Sequence, residues 1–181
     1  MVAQETYLKG CYIISPKISE DSRGYFFESF NQSKFNDLIG GSIKFIQDNQ
    51  SFSSKGVLRG LHYQVGDHQQ AKLVRVISGE VLDVAVDLRK DSTTFGQYVS
   101  VKLSGENKKQ FYVPRGFAHG FVVLSETAIF SYKCDNFYNK ESEAGIIYND
   151  PKLNIDWLFD SSEVIISEKD TQLPSFENAR L

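Results

Sequence analysis

Apolar residues return at every second position in short stretches along this chain, and glycine, asparagine or aspartate closes most of them. A period of two is the period of a β-strand, whose successive side chains point to opposite faces. Turn residues between such stretches mark an antiparallel sandwich or barrel. The pattern predicts strands at 11–14, 25–30, 44–50, 57–64, 72–77, 80–88, 96–103, 110–113, 120–124, 127–134 and 145–148. Helix signals are few. Asn31 or Ser33 is a good N-cap for a short helix running to Leu38, where Gly40-Gly41 stops it. A second short helix is expected near 161–170.

The best-defined element is a predicted hairpin around Ser78-Gly79. A two-residue turn would pair Ile77 with Glu80, Val74 with Asp83 and Lys72 with Ala85. Lys72, Val74, Val76, Val81, Asp83 and Ala85 then share one face; Leu73, Arg75, Ile77, Leu82, Val84 and Val86 share the other. Both faces are mostly apolar, as in the centre of a two-layer structure. Lys72 and Asp83 become diagonal neighbours, and a buried lysine needs such a partner. The expected fold is all-β, a double-sheet jelly roll of the cupin type with a few short helices, whose open mouth is the natural place for a site.

The 181 residues suit a single domain spanning 1–181. A net charge of −3 argues against a general nucleic-acid or anionic-membrane surface, so any anionic ligand needs a local cluster of arginine and lysine. The two cysteines, Cys11 and Cys134, are expected to be free buried thiols. The stretch Met1-Val2-Ala3-Gln4-Glu5-Thr6 has no basic region leading into an apolar run, and no segment approaches the ~18 apolar residues of a membrane span. The expectation is a cytoplasmic protein with no membrane partner.

One region breaks the apolar pattern. Lys55 to Gln64 (Lys-Gly-Val-Leu-Arg-Gly-Leu-His-Tyr-Gln), followed by Gln69 to Val76, places two arginines, two lysines and one of the three histidines in what otherwise reads as buried strand. Buried charges must be paired or meet a charged ligand. Arg59 and His62 are three apart, so a regular strand aims them at opposite faces; they serve one pocket only if the strand bulges, which Gly60 permits. His119 follows a Pro114-Arg115-Gly116 turn, which suggests a position near a rim. His68 follows Gly66-Asp67 and reads as a solvated loop residue. A metal site needs about three convergent ligands. His62-Tyr63-Gln64 lacks the second histidine of a His-x-His pair, so no metal is expected.

Beyond this run, ordered matches extend over residues 8–175. They include Asp21 to Glu28, Phe45 to Ser51, Asp83 to Arg89, Thr94-Phe95-Gly96, residues 112–126, Tyr132-Lys133-Cys134, Tyr138, Glu143, Asn149-Asp150-Pro151 and Ser167 to Asp170. Together they resemble the dTDP-4-dehydrorhamnose 3,5-epimerase family, and so many matches in order are far more specific than one short motif.

The resemblance implies an enzyme acting on dTDP-4-keto-6-deoxy-D-glucose. The 4-ketone acidifies the hydrogens at C3 and C5, so epimerisation calls for no cofactor. It implies His62 as base, Asp170 as its hydrogen-bonded orienter, and Tyr132 as the acid on the opposite face of the sugar. Lys72 would stabilise the enolate, oriented by Asp83. Read alone, Tyr132 is an apolar-strand core residue, Asp170 a helix cap and Lys72–Asp83 a structural pair. The resemblance further implies Arg23, Arg59 and Lys169 for the pyrophosphate. Glu28, Gln47 and Asn49 would contact base, sugar and ribose. Tyr138, with Phe26 as a second platform, would stack on thymine, and His119 and Glu143 would touch substrate. It implies a homodimer with exchanged N-terminal strands, in which Arg23, Phe26 and Glu28 serve the neighbouring subunit.

Two departures stand out. Ala71 replaces the glycine usual before the lysine, adding a methyl beside the expected oxyanion site. Asp135-Asn136-Phe137 varies a loop expected near the sugar. Alternatives to the double epimerase are a relative acting at C3 alone, a 3,4-ketoisomerase, and a non-catalytic cupin that senses a nucleotide sugar. The joint presence of His62, Tyr132 and Asp170 counts against the ketoisomerase. A sensor has no need of His62, Tyr132 and Lys72 together.

Overall fold

Alternating side chains build two antiparallel sheets in a computed structural model that describes every residue but Ser161. The first sheet runs β1 (Val2–Glu5), β2 (Tyr12–Ser15), β10 (Gln110–Val113), β7 (Lys72–Ser78), β12 (Thr127–Cys134), β5 (Gln47–Ser54). The second runs β13 (Glu143–Gly145), β6 (Leu58–Gln64), β11 (Phe117–Val123), β8 (Glu80–Asp87), β9 (Tyr98–Ser104). A separate hairpin joins β3 (Ser19–Asp21) to β4 (Gly24–Phe26), and every residue of both strands is exposed. This is the all-β two-sheet sandwich the pattern predicts.

The space between the sheets is filled by Val74 and Val76 from one side and Val81, Ala85 and Phe121 from the other, with Phe111 and Phe130 among the fully buried side chains. Both outer faces are also partly covered. Helix α1 (Gln32–Ile39) seats Phe35 against Leu73, Ile14 and Tyr112. Trp157 and Phe176 of the C-terminal segment belong to the cluster around Leu82, Val84 and Val86. Burial on both faces is why β8 and β11 read as near-continuous apolar runs.

The predicted hairpin at Ser78-Gly79 does not form. β7 pairs with β10 and β12, β8 with β11 and β9, and the chain crosses between the sheets at Gly79. Gly79 has φ +81°, and a Cβ there would stand 2.1 Å from the Thr127 carbonyl oxygen, so this crossing requires glycine. The Glu80 N–H is held by the Ser125 hydroxyl at 2.8 Å, and the Gly79 carbonyl accepts from Gly105 at 2.9 Å. The side-chain parity within each strand is as expected. The face shared by Val74 and Val81 is the space between two sheets, while Leu73 and Val84 lie on outer surfaces turned away from each other.

Asn31 caps α1 by accepting the Lys34 N–H at 3.1 Å, and Gly40 at φ +64° ends it, as predicted. Of the helix expected near 161–170, only α2 (Glu168–Thr171) forms, and Ser161 lies outside the described residues. β1 and β3 were not predicted. The stretch 25–30 is strand only to Phe26, the strand expected at 44–50 begins at Gln47, that at 120–124 begins at Phe117, and that at 145–148 occupies Glu143–Gly145. Cys11 and Cys134 are free and buried. Among the described residues no helix is long and apolar enough to cross a membrane.

Candidate active site

The site begins with a bulge in β6. His62 lies opposite His119 on β11 and Arg59 opposite Phe121, so two residues of β6 span one of β11. Gly60, at φ +136°, faces Gly120. A Cβ on Gly60 would come within 2.6 Å of the Gly120 Cα, and one on Gly120 within 2.8 Å of the Arg59 carbonyl oxygen. The paired glycines admit the bulge, and with it Arg59 and His62 line one cavity.

That cavity, of about 590 Å³, lies between the sheets and is lined by Arg59, His62, Lys72, His119, Tyr132, Lys169 and Asp170 among others. It continues into a second lobe of about 350 Å³ bearing Gln47, Gln64, Cys134, Tyr138 and Glu143; Asn49, His62, Lys72 and Tyr132 line both lobes. His62 and Tyr132 stand on opposite sheets and so face each other across the space.

His62 Nε2 and Asp170 Oδ1 are 2.7 Å apart. Asp170 is buried, and its place comes from Ser167, whose hydroxyl caps α2 by accepting the Asp170 N–H at 3.1 Å. Burial tends to raise the Asp170 pKa, but the hydrogen bond and charge of His62 outweigh it and hold the carboxyl below its usual range. An ionised Asp170 accepts a hydrogen bond from the Nε2–H, which leaves the Nδ1 lone pair as the basic position.

Tyr132 is half-buried beside Phe130, and burial raises its pKa, keeping the phenol protonated. Lys72 has no hydrogen-bonding or ion-pair partner among the described residues, and its ammonium lies 5.9 Å from the centroid of the Tyr132 ring. Burial pulls its pKa below the ordinary lysine value, opposed by Cys134, Asp83 and Glu143.

The expected Lys72–Asp83 pair is absent. Fully buried Asp83 instead places both oxygens 3.0 Å from His119 Nε2. β7 and β8 lie in different sheets, so the diagonal contact a hairpin would have made does not exist; Asp83 is opposite Phe121 and diagonal to His119. His119 is accordingly no rim residue: it is 6 % exposed, inside β11, against the cavity. Burial lowers its pKa against the pull of Asp83. His68 is not simply solvated either, since its Nδ1 is buried with no hydrogen-bond partner among the described residues.

Tyr138 and Lys169 converge on Glu143. The Tyr138 hydroxyl donates to Oε2 at 2.9 Å, and the Lys169 ammonium lies 2.7 Å from Oε1. Gln47 accepts the Tyr138 N–H at 3.2 Å and donates to Asn49 at 3.2 Å. Gln64, which drew no role from sequence, accepts the Asn139 N–H at 2.7 Å and holds the His68 carbonyl at 2.8 Å. It stood inside the charge-rich run, which was its only signal.

Three expected residues lie elsewhere. Arg23 pairs with Asp21 at 2.6 Å, Glu28 with Lys34 at 2.8 Å, and Phe26 is 75 % exposed; none lines this chain's cavity. The Ala71 methyl packs with Phe35, Leu73 and Tyr112 on the outer face, away from the site. Asp135, Asn136 and Phe137 line neither lobe; the Asp135 carboxylate instead ties the Ala71 N–H (2.6 Å) to Arg115 (2.8 Å).

Known proteins resemble this chain in sequence and in fold. A family model described as dTDP-4-dehydrorhamnose 3,5-epimerase matches residues 5–178. The chain is 51 % identical over 181 residues to the dTDP-4-dehydrorhamnose 3,5-epimerase of Salmonella typhimurium, covering 100 % of this chain and 98 % of that one. The crystal structure of the Elizabethkingia anophelis enzyme of the same name is 60 % identical, with a TM-score of 0.94 over 97 % of this chain and 96 % of that one. A Legionella pneumophila dTDP-6-deoxy-D-glucose-3,5-epimerase in complex with dTDP-4-keto-L-rhamnose is 52 % identical, with a TM-score of 0.93 over 97 % and 93 %. The chain belongs to the dTDP-4-dehydrorhamnose 3,5-epimerase family.

Proposed function

We propose that this protein converts dTDP-4-dehydro-6-deoxy-D-glucose to dTDP-4-dehydro-L-rhamnose by inverting C3 and C5, in one catalytic domain and without a cofactor. The observation that carries this reading is a histidine with a buried carboxylate on one nitrogen, facing a protonated tyrosine across a cavity that also holds a lysine with no counter-ion among the described residues. His62 Nδ1 takes the proton from C3 or C5, and the electron pair delocalises onto the C4 oxygen. Lys72 stabilises that enolate oxygen, and the Tyr132 phenol returns a proton to the opposite face of the carbon. His119, its Nε2 held by Asp83, contacts the sugar.

In the same reading Arg59 and Lys169 bind the diphosphate and Tyr138 stacks on the thymine, with Gln47, Asn49 and Glu143 nearby. Arg23, Phe26 and Glu28 come from a second copy in a homodimer with exchanged N-terminal strands. Their exposure outside their own chain's cavity supports that assignment. The cytoplasmic location expected from sequence belongs to this proposal.

The test is incubation with the dTDP-4-keto sugar in D2O, read by NMR. Deuterium entering at both C3 and C5, and lost in His62→Ala, is the expected result. Entry at C3 alone would make the protein a mono-epimerase. No entry at either carbon in protein that binds dTDP would leave the sensor reading.

A further inference from the structure

The Lys169–Glu143 pair has a position that neither residue's expected ligand contact explains. Lys169 lines the larger lobe and Glu143 the smaller, so the 2.7 Å bond between them joins the two lobes beside His62. Both partners are tied to the reacting groups. Lys169 and Asp170 share the four-residue turn of α2, and Asp170 carries the bond to His62. Glu143 faces Gln64 at the edge of β6, two residues from His62, and its other oxygen holds Tyr138.

We propose that Glu143 is a positioning residue that stands in for the substrate's diphosphate: it holds Lys169 across the cavity until a nucleoside diphosphate takes the ammonium and frees the carboxylate. The inference rests on the epimerase reading for the identity of the ligand.

The exchange is one anion for another at a single ammonium. The pair is largely open to water, with Lys169 63 % and Glu143 24 % exposed at the side chain, and such pairs are weak. A diphosphate offers more charge and more acceptor oxygens, so it displaces the carboxylate. A sugar without phosphate carries no charge with which to do so. The clasp therefore opens for nucleotide-linked sugars and stays closed in the presence of free ones. Titration follows the same geometry. The Glu143 hydrogen bond raises the Lys169 pKa. At Glu143, burial is outweighed by Lys169 and Tyr138, which hold the carboxyl below its usual range.

The experiment is a double-substitution cycle on dTDP binding by the full protein, measured calorimetrically, with thermal melting to verify folding. Glu143→Gln keeps the shape and the Tyr138 contact but removes the charge. The expected result is dTDP bound about two- to fivefold more tightly by Glu143→Gln, and that gain absent when Lys169→Met is also present. A carboxyl 13C titration gives an independent reading: the Glu143 pKa should rise towards its ordinary value when dTDP is added. Weaker dTDP binding by Glu143→Gln, equally in both Lys169 backgrounds, would show an ordinary ligand contact and overturn the clasp. So would a Glu143 pKa indifferent to dTDP. The epimerase reading is judged separately by deuterium entry at C3 and C5. Its loss with the binding cycle intact would remove the reaction and leave the clasp.

Discussion

Asp87, fully buried, and Lys72, partly buried in the cavity wall, are both charged groups drawn back from water, and the protein treats them in opposite ways. Asp87 is fully buried at the end of β8, and each of its oxygens is occupied. Arg89 reaches it twice, at 2.7 and 2.8 Å, Ser92 at 2.6 Å and Thr94 at 2.7 Å. Burial alone would raise its pKa, yet these donors bring it down to about 2. Lys72 meets no acid within ion-pair distance among the described residues, and its charge is destabilised by burial. A buried charge satisfied from within is scaffold; a cavity charge left without a partner is, on the proposed mechanism, kept for a ligand.

The contrast can be broken most severely at the reaction itself. His62→Ala should lower turnover by about 10²–10⁴-fold with a smaller loss of melting temperature, because the partly exposed ring fills no core space but its removal leaves the buried Asp170 carboxylate without that partner. Lys72→Met should cost about 10²–10³-fold in turnover while raising stability by ~1 kcal/mol, as a methionine has no charge to desolvate. Calorimetric melting decides it. Loss of stability together with activity would put Lys72 in the same class as Asp87.

Asp87→Asn should do the reverse, losing about 2 kcal/mol at neutral pH with turnover intact. The sign with pH follows from a folded pKa below the unfolded one. Asp87 contributes its full stability above about pH 4 and loses it as pH falls towards about 2. Denaturant titrations across that range should show the acid slope in the parent and less of it in the variant. The smallest effect belongs to Ala71→Gly, about 1 kcal/mol from one lost buried methyl and a freer backbone, with kcat unchanged.

Strand parity was legible because alternation is local: Val74 and Val76 point inward wherever β7 finds its neighbours. The neighbours themselves were not legible. Ser78-Gly79 reads equally well as a tight turn or a crossing between sheets, and only the distant Ser125, Thr127 and Gly105 decide between them. From that one ambiguity came the wrong partner for Asp83. The bulge at Gly60 was readable because Arg59 and His62 had to share a pocket, while its complement at Gly120 became visible only in the register with β11. Asp170 carried no local mark of its role beyond a cap; its meaning lies in a contact across 108 residues.

That separation has a consequence for how the protein is made. Every paired strand of the two sheets precedes Ile146, and the tail returns to β6 afterwards through a parallel bridge between Val57 and Ile165 before delivering Lys169 and Asp170. A ribosome that has released all the strands has yet to release Asp170, the carboxylate bound to His62. On the proposed mechanism, enzymatic output from a translating extract therefore counts chains that extend past Asp170, whereas an antibody against the sheets counts shorter ones as well. The ratio of the two signals gauges how many chains have passed that point.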